Sequence, residues 1–289
     1  MLATSNDSFL IERDGSPYPP HHFGEHLEEY SIHFFKDKES KRKLIPVHWT
    51  AVYNYRAKEG LGIGTPNGKL REQLQIYLDS LDRNESYFIV CTHDDAPNEN
   101  LPPNTLVFGA GGNSNKIDVP IPLTCAKHQN ITDRMKVIPV SFVGSVTHNI
   151  RFSLLNELNG KQGVFINASH WSSDVSNEKI DLFKTVTEQS IFSLCPRGYG
   201  STSYRLYEAM QLGAIPVYVS DSHMLPWNDE IDWNEFCIVK NDLSISLLHQ
   251  ELMSMSGTKI RKMQDRLSTV WDEYFSIEAT CKQILKKVT

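Results

Sequence analysis

Several features that would assign this chain to a special class of protein are absent from its 289 residues. No run approaches the roughly 20 apolar residues that a membrane-spanning helix needs. Residues 1–30 contain charged side chains and prolines but no apolar core, so we expect neither a secretory signal nor a membrane anchor, and a cytoplasmic location. The chain shows no internal repeat. These absences leave an ordinary globular protein.

Metal-binding and disulfide patterns are also missing. The five cysteines are scattered without a Cys-x-x-Cys pair, which predicts free thiols rather than disulfides or a zinc site. No Asp-x-Asp pair occurs, although sites that hold Mn²⁺ or Mg²⁺ often carry one, because these hard cations prefer oxygen ligands. We therefore expect no metal and no other cofactor.

The chain has no excess of positive charge. Lys and Arg number 29 and Asp and Glu 35, so the formal net charge is −6. A mildly acidic protein is not suited to binding nucleic acid or an anionic membrane surface over a large area. We expect no nucleic-acid partner.

Strand and helix patterns alternate along the chain, most regularly in its second half. The strand patterns there cover 137–143, 163–167, 190–194, 214–219 and 236–239, and the helix patterns cover 149–158, 179–188 and 201–212. Such alternation predicts βαβ units with parallel strands. The first half shows the same rhythm with longer loops, namely strand patterns over 44–55, 87–92 and 105–108 and a helix pattern over 70–81.

This pattern predicts an α/β protein with two Rossmann-like domains. We place the first domain at 1–136, with an irregular N-terminal arm over residues 1–40, and the second at 137–275. Residues 276–289 show an apolar stripe at helical spacing, through Ile277, Ile284 and Leu285. We expect this helix to cross back and pack on the first domain.

The segment 190–221 carries the strongest chemical signal. It contains a strand, a loop with Gly198 and Gly200, a helix, a glycine stop and a further strand. The serine and threonine residues at 201–203 precede the helix, whose N-terminus carries about half a positive charge and suits a phosphate. Arg197 and Arg205 bracket this point with guanidinium groups that can bind phosphate in a bidentate manner.

Glu208 lies one turn after Arg205, so the two side chains can share a helix face. A carboxylate there can accept both hydroxyls of a ribose, as acidic residues do in dinucleotide-binding folds. Two interpretations remain open at this point, because Glu208 could also be only an ion-pair partner of Arg205.

The same segment resembles the exostosins, glycosyltransferase family 47. The resemblance rests on the run 195–221, read as CPRGYGSTSYRLYEAMQLGAIPVYVSD, and on 225–227 and 232–236. Upstream, residues 141–144, Arg151, His93–Asp94 and 116–122 resemble further family motifs. Together these motifs span roughly residues 87 to 240, and the compact chain is similar to exostosin-like enzymes of bacteria and large algal viruses.

The resemblance implies a GT-B fold, with two Rossmann-like domains facing a cleft, and an inverting, metal-independent transfer from a UDP-sugar to a glycan or glycoprotein hydroxyl. The motif has no extra arginine that would bind a carboxylate on the sugar, which favours a neutral sugar, with xylose as the first candidate. The donor-binding residues that it implies are Gly144, Arg151, Arg197, Gly198, Tyr199, Ser201, Thr202, Ser203, Tyr204, Arg205 and Glu208. The alternatives are a retaining transferase, epimerase or hydrolase of the same fold, or a non-catalytic module that binds a nucleotide sugar or glycan.

Inversion requires a general base on the acceptor side. Asp94 and Asp95 follow a predicted strand of the first domain and are the candidates for this catalytic role. Alternative bases lie in loops that the sequence does not place, at His22, His48, Glu59 and Asp174. His170 and Trp171 follow another strand and are candidate contacts for the nucleobase.

Overall fold

The computed structural model describes residues 1–10, 26–54, 68–123, 125, 127–128, 135–172 and 175–289. Contacts divide the chain into two compact units. The first unit holds the described residues before position 125 together with Ile277–Thr289, and the second holds those of Cys125–Ser276. The second unit begins before the boundary at 136 that the strand pattern predicts, because His128 already hydrogen-bonds to Glu208 and Gln211.

The first unit is built on a sheet of four parallel strands in the order β1-β2-β3-β4. The strands are β1 (Lys43–Leu44), β2 (Tyr87–Cys91), β3 (Thr105–Gly109) and β4 (Val119–Pro120). The helices of this unit are α1 (Leu27–Phe35), α2 (Trp49–Asn54), α3 (Gly68–Asp79) and, from the end of the chain, α9 (Ile277–Val288). Strand β2 is buried along its whole length, as expected of a parallel strand covered on both faces.

Two local predictions for the first unit are wrong. The predicted strand over 44–55 is only two residues long, and its second half forms helix α2. The arm over residues 1–40 contains helix α1. Both differences involve Glu28 of α1, whose buried carboxylate accepts a hydrogen bond from the Thr50 backbone N–H at 2.9 Å. This contact satisfies an N–H group at the start of α2, and it joins segments that the sequence pattern treats separately.

Helix α9 packs within the first unit, where it contacts α1. The Lys41 N–H donates to the Val288 carbonyl at 2.9 Å and joins the helix end to the segment before β1. Of the three apolar residues singled out in the sequence, Ile284 is fully buried and Ile277 and Leu285 are partly buried. The apolar stripe is therefore the face of α9 that packs against the rest of the first unit.

The second unit is built on a sheet of five parallel strands in the order β6-β5-β7-β8-β9. The strands are β5 (Ile138–Ser145), β6 (Val164–Ser169), β7 (Ser190–Pro196), β8 (Ile215–Val219) and β9 (Ile238–Lys240). The helices are α4 (Asn149–Leu158), α5 (Asn177–Glu188), α6 (Tyr204–Gln211), α7 (Leu248–Met253) and α8 (Gly257–Val270). The α/β class and the two Rossmann-like sheets that a GT-B fold requires are confirmed.

The strand order of the second sheet reverses between β5 and β7. From β5 the chain moves outward to β6, and from β7 it moves the other way to β8 and β9. In open parallel sheets, ligands bind in the crevice at the carboxyl ends of the strands where this reversal occurs. The topology therefore points to the segments that follow Ser145 and Pro196.

The longest described helix, α8, has 14 residues. Among the helices that the structure describes, none has the length and apolar character needed to cross a bilayer.

We predict that Ile284→Ala destabilises the first unit by about 2–5 kcal/mol, because a fully buried side chain leaves a cavity when it is truncated. Ile76→Ala is the matched control in the same unit, since Ile76 is 69% exposed and its loss costs about 0.5 kcal/mol or less. Urea unfolding of both variants measures the difference. Equal stability of the two variants would show that α9 does not contribute to this core.

Candidate functional site

The loop between β7 and α6 brings the predicted donor residues to the point where the strand order reverses. Strand β7 ends at Pro196, and Ser203 is the residue that precedes the first turn of α6. The Gly198 N–H donates to the Thr202 carbonyl at 3.0 Å and closes the loop on itself. The Ser201 carbonyl accepts a hydrogen bond from the Tyr218 hydroxyl at 2.7 Å, which ties the loop to β8.

Arg151 joins three segments around this loop. It lies on α4, is only 4% exposed, and donates to the Ser145 carbonyl at 2.7 Å, the Arg197 carbonyl at 2.9 Å and the Ser203 hydroxyl at 3.3 Å. All three partners are neutral. Burial, together with the charge of Arg205, lowers the pKa of Arg151 to about 9. No carboxylate contacts this guanidinium in the described part of the chain, so its charge is left uncompensated.

Arg205 places a second guanidinium at the same site. Its Nε donates to the Val143 carbonyl at the end of β5, and its charged group lies 5.6 Å from the ring centres of both Phe142 and Phe183. Burial lowers its pKa, and Glu208 partly offsets this effect. Among the described residues, no hydrogen-bond acceptor is found for its two terminal nitrogens. These nitrogens can therefore bind an anion.

Gly144 makes room for the Arg205 side chain. A Cβ atom at position 144 would lie 1.9 Å from Arg205 Nη2 and 2.1 Å from its central carbon, far closer than atoms can approach. The glycine that the family resemblance assigns to the donor site therefore acts by admitting the guanidinium beside the end of β5.

The start of α6 provides further groups suited to an anion. Ser203 makes no capping bond to the helix, because its hydroxyl accepts from Arg151 instead. Among the described residues, Thr202 Oγ1 is buried without a hydrogen-bond partner. An unsatisfied buried hydroxyl is costly unless a ligand meets it, and the start of a helix carries a partial positive charge that favours an anion. Together with Arg151 and Arg205 they form what we call the anion site, defined as Arg151, Thr202, Arg205 and the first turn of α6.

Arg197 differs from the other two arginines because its donors are engaged within its own loop. It donates to the Tyr199 carbonyl at 3.0 Å, to the Gly200 carbonyl at 3.3 Å and to the carboxylate of Asp221. This hydrogen bond lowers the pKa of Asp221. In this arrangement Arg197 shapes the loop, and its contact with a diphosphate stays a prediction. Asp221, which was not assigned a role from the sequence, follows β8 and could have been found by its place after a strand.

Glu208 is buried on α6, and no ion pair joins it to Arg205 among the described residues. Its Oε1 lies 3.4 Å from His128 Nε2 instead. His128 was missed in the sequence, because it lies in an irregular stretch between the two halves where no strand or helix pattern gives it a position.

The remaining predicted residues of the second unit are exposed or partly buried. Tyr199 is 62% exposed at the tip of its loop, and Tyr204 is partly buried at the start of α6. Trp171, at 48% exposure, and His170 follow edge strand β6. The Ser145 hydroxyl donates to the His170 carbonyl at 3.3 Å, which brings this turn next to the end of β5. A role in binding a nucleobase stays a prediction for both.

Asp94 and Asp95 lie in a turn after β2, at the carboxyl edge of the first sheet. The Asp95 N–H donates to His93 Nδ1 at 3.1 Å, and Asn113 Nδ2 donates to the Asp95 carboxylate at 3.0 Å. Burial lowers the pKa of His93 to about 4. Since Nδ1 accepts a hydrogen bond, the proton of the neutral ring is on Nε2, and His93 is a donor rather than a base.

This turn is held from several sides by groups that the sequence analysis did not single out. Glu28 accepts from the Thr92 N–H at 2.7 Å, directly before His93. Gly111 lies so close that a Cβ there would come within 2.2 Å of the Asp94 Cα. Further along the chain, Tyr53 donates to Glu99 at 2.6 Å. The turn that carries the two aspartates is therefore fixed in position.

Of the alternative bases, His48 is half-buried, and its backbone N–H donates to the Phe9 carbonyl. His22, Glu59 and Asp174 lie outside the described residues. Within the described residues, no group of three or more His, Cys, Asp or Glu side chains is arranged to hold a metal ion. Independence from metal stays a prediction.

Comparison with known proteins supplies the decisive observation. The model of the Exostosin GT47 domain matches residues 88–255, more than half of the chain, and covers both the Asp94 turn and the anion site. The chain belongs to the exostosin GT47 family.

The segments that match this exostosin-family chain cover only part of its curated relatives. The exostosin-1 homolog of Caenorhabditis elegans is 34% identical over 98 residues, which are 34% of this chain and 26% of that protein. Exostosin-1 of Drosophila melanogaster is 30% identical over 149 residues, which are 47% of this chain and 19% of that protein. The matched segments thus span about a quarter or less of these relatives.

Likeness to solved structures is weaker. TarM of S. aureus, crystallised with fondaparinux, alpha-GlcNAc-glycerol and UDP, is 10% identical with a TM-score of 0.44, covering 90% of this chain and 58% of TarM. A TM-score below 0.5 carries no argument about the function of this chain.

We predict that Gly144→Ala destabilises the second unit by about 1–3 kcal/mol, because the added methyl overlaps the Arg205 guanidinium and displaces it from the Val143 carbonyl. Gly257→Ala is the matched control, since its Cβ would meet nothing closer than 3.7 Å. Chemical denaturation measures both. An unchanged stability of Gly144→Ala would contradict the close approach of Arg205.

Proposed function

We propose that this chain is a glycosyltransferase that transfers a sugar from a UDP-sugar to an acceptor hydroxyl with inversion and without a metal ion. Membership of the exostosin family supports the reaction class. The observation that carries the donor assignment is the buried Arg151 guanidinium, which has only neutral partners and lies close enough to Arg205 for the second charge to lower its pKa.

A diphosphate satisfies the groups that the anion site leaves open. Its negative charge offsets the two guanidiniums, and its oxygens accept from the terminal nitrogens of Arg205, from Thr202 Oγ1 and from the N–H groups at the start of α6. The same groups stabilise the charge that develops on the UDP leaving group when the bond to the sugar breaks. In this proposal these groups replace the divalent cation that stabilises the leaving diphosphate in other transferases.

The proposed reaction is a single displacement. The acceptor oxygen forms a bond to the anomeric carbon while the bond from that carbon to the β-phosphate oxygen breaks, and UDP leaves. A carboxylate, which we assign to Asp94, takes the proton from the acceptor hydroxyl. The products are an inverted glycoside and UDP, and NMR of the new anomeric linkage distinguishes this course from retention. UDP-xylose is the first donor to test.

We predict that Thr202→Val weakens UDP binding about tenfold or more, because it removes a hydroxyl that would donate to a charged phosphate oxygen. The same change leaves the stability of the free protein equal or higher, since this hydroxyl has no partner to lose. Isothermal titration with UDP in EDTA, together with a melting curve, measures both effects.

Thr187→Val is the matched control for this prediction. Thr187 is equally buried, but it lies just before β7, at the amino ends of the strands and so away from the anion site. UDP binding that is lost in EDTA and restored by Mn²⁺ contradicts the metal-free proposal. Equal UDP affinity for wild type and Thr202→Val contradicts the proposed phosphate contact.

We predict that Asp94→Asn lowers the transfer rate by about 100- to 10,000-fold, the range typical of removing a general base. UDP affinity should not change, because the anion site belongs to the other unit. The pH–rate profile should lose its acidic limb. Asp95→Asn should have a milder effect, since its carboxylate is already bound to Asn113. Near-normal transfer by both single variants and by the double variant would assign the base to another residue.

A further inference from the structure

The roles assigned above to the donor-site residues do not explain why His128 contacts Glu208. His128 Nε2 lies 3.4 Å from Glu208 Oε1, and both side chains are buried. A carboxylate oxygen only accepts hydrogen bonds, so the proton must be on Nε2 and the ring donates. One oxygen of Glu208 is therefore engaged by His128.

Gln211 fixes the position of the histidine from the next turn of α6. Its Oε1 accepts from the His128 backbone N–H at 2.9 Å, and its Nε2 contacts Cys125 Sγ at 3.2 Å. Both ends of the side-chain amide thus hold Cys125 and His128 against the helix. Because the backbone of His128 is held, the ring is placed at Glu208 independently of the contact with the carboxylate.

The ring of Phe183 lies near both His128 and Arg205, the two groups that face Glu208. The Phe183 ring centre lies 6.5 Å from that of His128 and 5.6 Å from the guanidinium of Arg205. The carboxylate of Glu208 lies within electrostatic range of that guanidinium. In such a sheltered place a hydrogen bond is stronger than in water, because fewer water molecules compete for it.

The second oxygen of Glu208 has no hydrogen-bond partner among the described residues. With Oε1 held, the carboxylate cannot rotate freely, and Oε2 keeps one direction in which it can accept hydrogen bonds. A ribose presents two neighbouring hydroxyls, which need an acceptor in a defined place. Ordering that acceptor before the ligand arrives lowers the entropic cost of binding.

We propose that His128 is a positioning residue of the donor site, which orients Glu208 toward the ribose hydroxyls of a nucleoside diphosphate. The inference rests on the proposed function, because it assumes that UDP binds at the anion site. His128 acts through Glu208 and is not itself a catalytic residue. Its contribution is to affinity for the nucleotide, so it lowers KM rather than raising kcat.

The test compares two replacements of the ring in UDP titrations. His128→Leu keeps the volume but removes the donor, and UDP affinity should fall about 2- to 10-fold, the value of one hydrogen bond. His128→Gln places an amide donor near the position of Nε2 and should restore most of the affinity. His249→Leu is the matched control, because His249 contacts the Gln162 carbonyl and not the donor site.

Two further measurements separate positioning from a general structural role. The loss in His128→Leu should be smaller for 2′-deoxy-UDP than for UDP, because the deoxy ligand has one ribose hydroxyl fewer. In the Glu208→Gln background, which itself weakens UDP binding, His128→Leu should cause no further loss. Equal losses for the two nucleotides, or additive losses in the double variant, overturn the positioning role.

Measurements of UDP affinity alone also test the positioning role of His128. Unchanged UDP affinity in His128→Leu overturns the proposal, and so does tighter binding, because the ring would then cover Glu208 rather than orient it. A wild-type protein that binds no UDP overturns the proposed function itself. A wild type that binds UDP and is weakened by Thr202→Val, but not by His128→Leu, overturns the role of His128 alone.

Discussion

The second unit buries the positive charge of Arg151, with which no carboxylate of the described residues pairs. Arg151, on α4, donates to the end of β5 and to both ends of the β7–α6 loop, at Arg197 and Ser203, and so it joins the segments that meet where the strand order reverses. Burying a guanidinium costs free energy that carbonyl and hydroxyl partners recover only in part. This unfavourable burial occurs where the strand order reverses, and an anionic ligand bound there would offset its free-energy cost.

The groups around Arg151 follow from this charge. Gly144 is needed because Arg205 passes beside the end of β5, and Ser203 does not cap α6 because its hydroxyl serves Arg151. Asp221 forms an ion pair with Arg197, whereas no carboxylate among the described residues forms an ion pair with Arg151 or Arg205. The site therefore separates one arginine that shapes the loop from two that can act on a ligand.

The first unit holds its acidic turn by a different means. Glu28 connects α1 to α2 and to the end of β2 through the N–H groups of Thr50 and Thr92, and burial raises its pKa. Lys116, at the start of the family motif over 116–122, donates to the Asn98 and Glu99 carbonyls behind the same loop. Lys116 thus supports the loop after β2, and a rigid loop is what the proposed base requires.

The sequence by itself determined the alternation of strands and helices and the parallel sheets, and it predicted the β7–α6 loop as the donor segment, because these depend on hydrophobic periodicity and on glycine and cap residues close together in the chain. It did not determine that Trp49–Asn54 is a helix, that Arg197 is neutralised while Arg151 is not, or that His128 contacts Glu208. Each of these depends on groups that are distant in sequence. Glu28 lies 22 residues from Thr50, and His128 lies 80 residues from Glu208. Local sequence patterns do not indicate contacts between distant residues. Only the tertiary structure therefore decided which charges are paired and which are not.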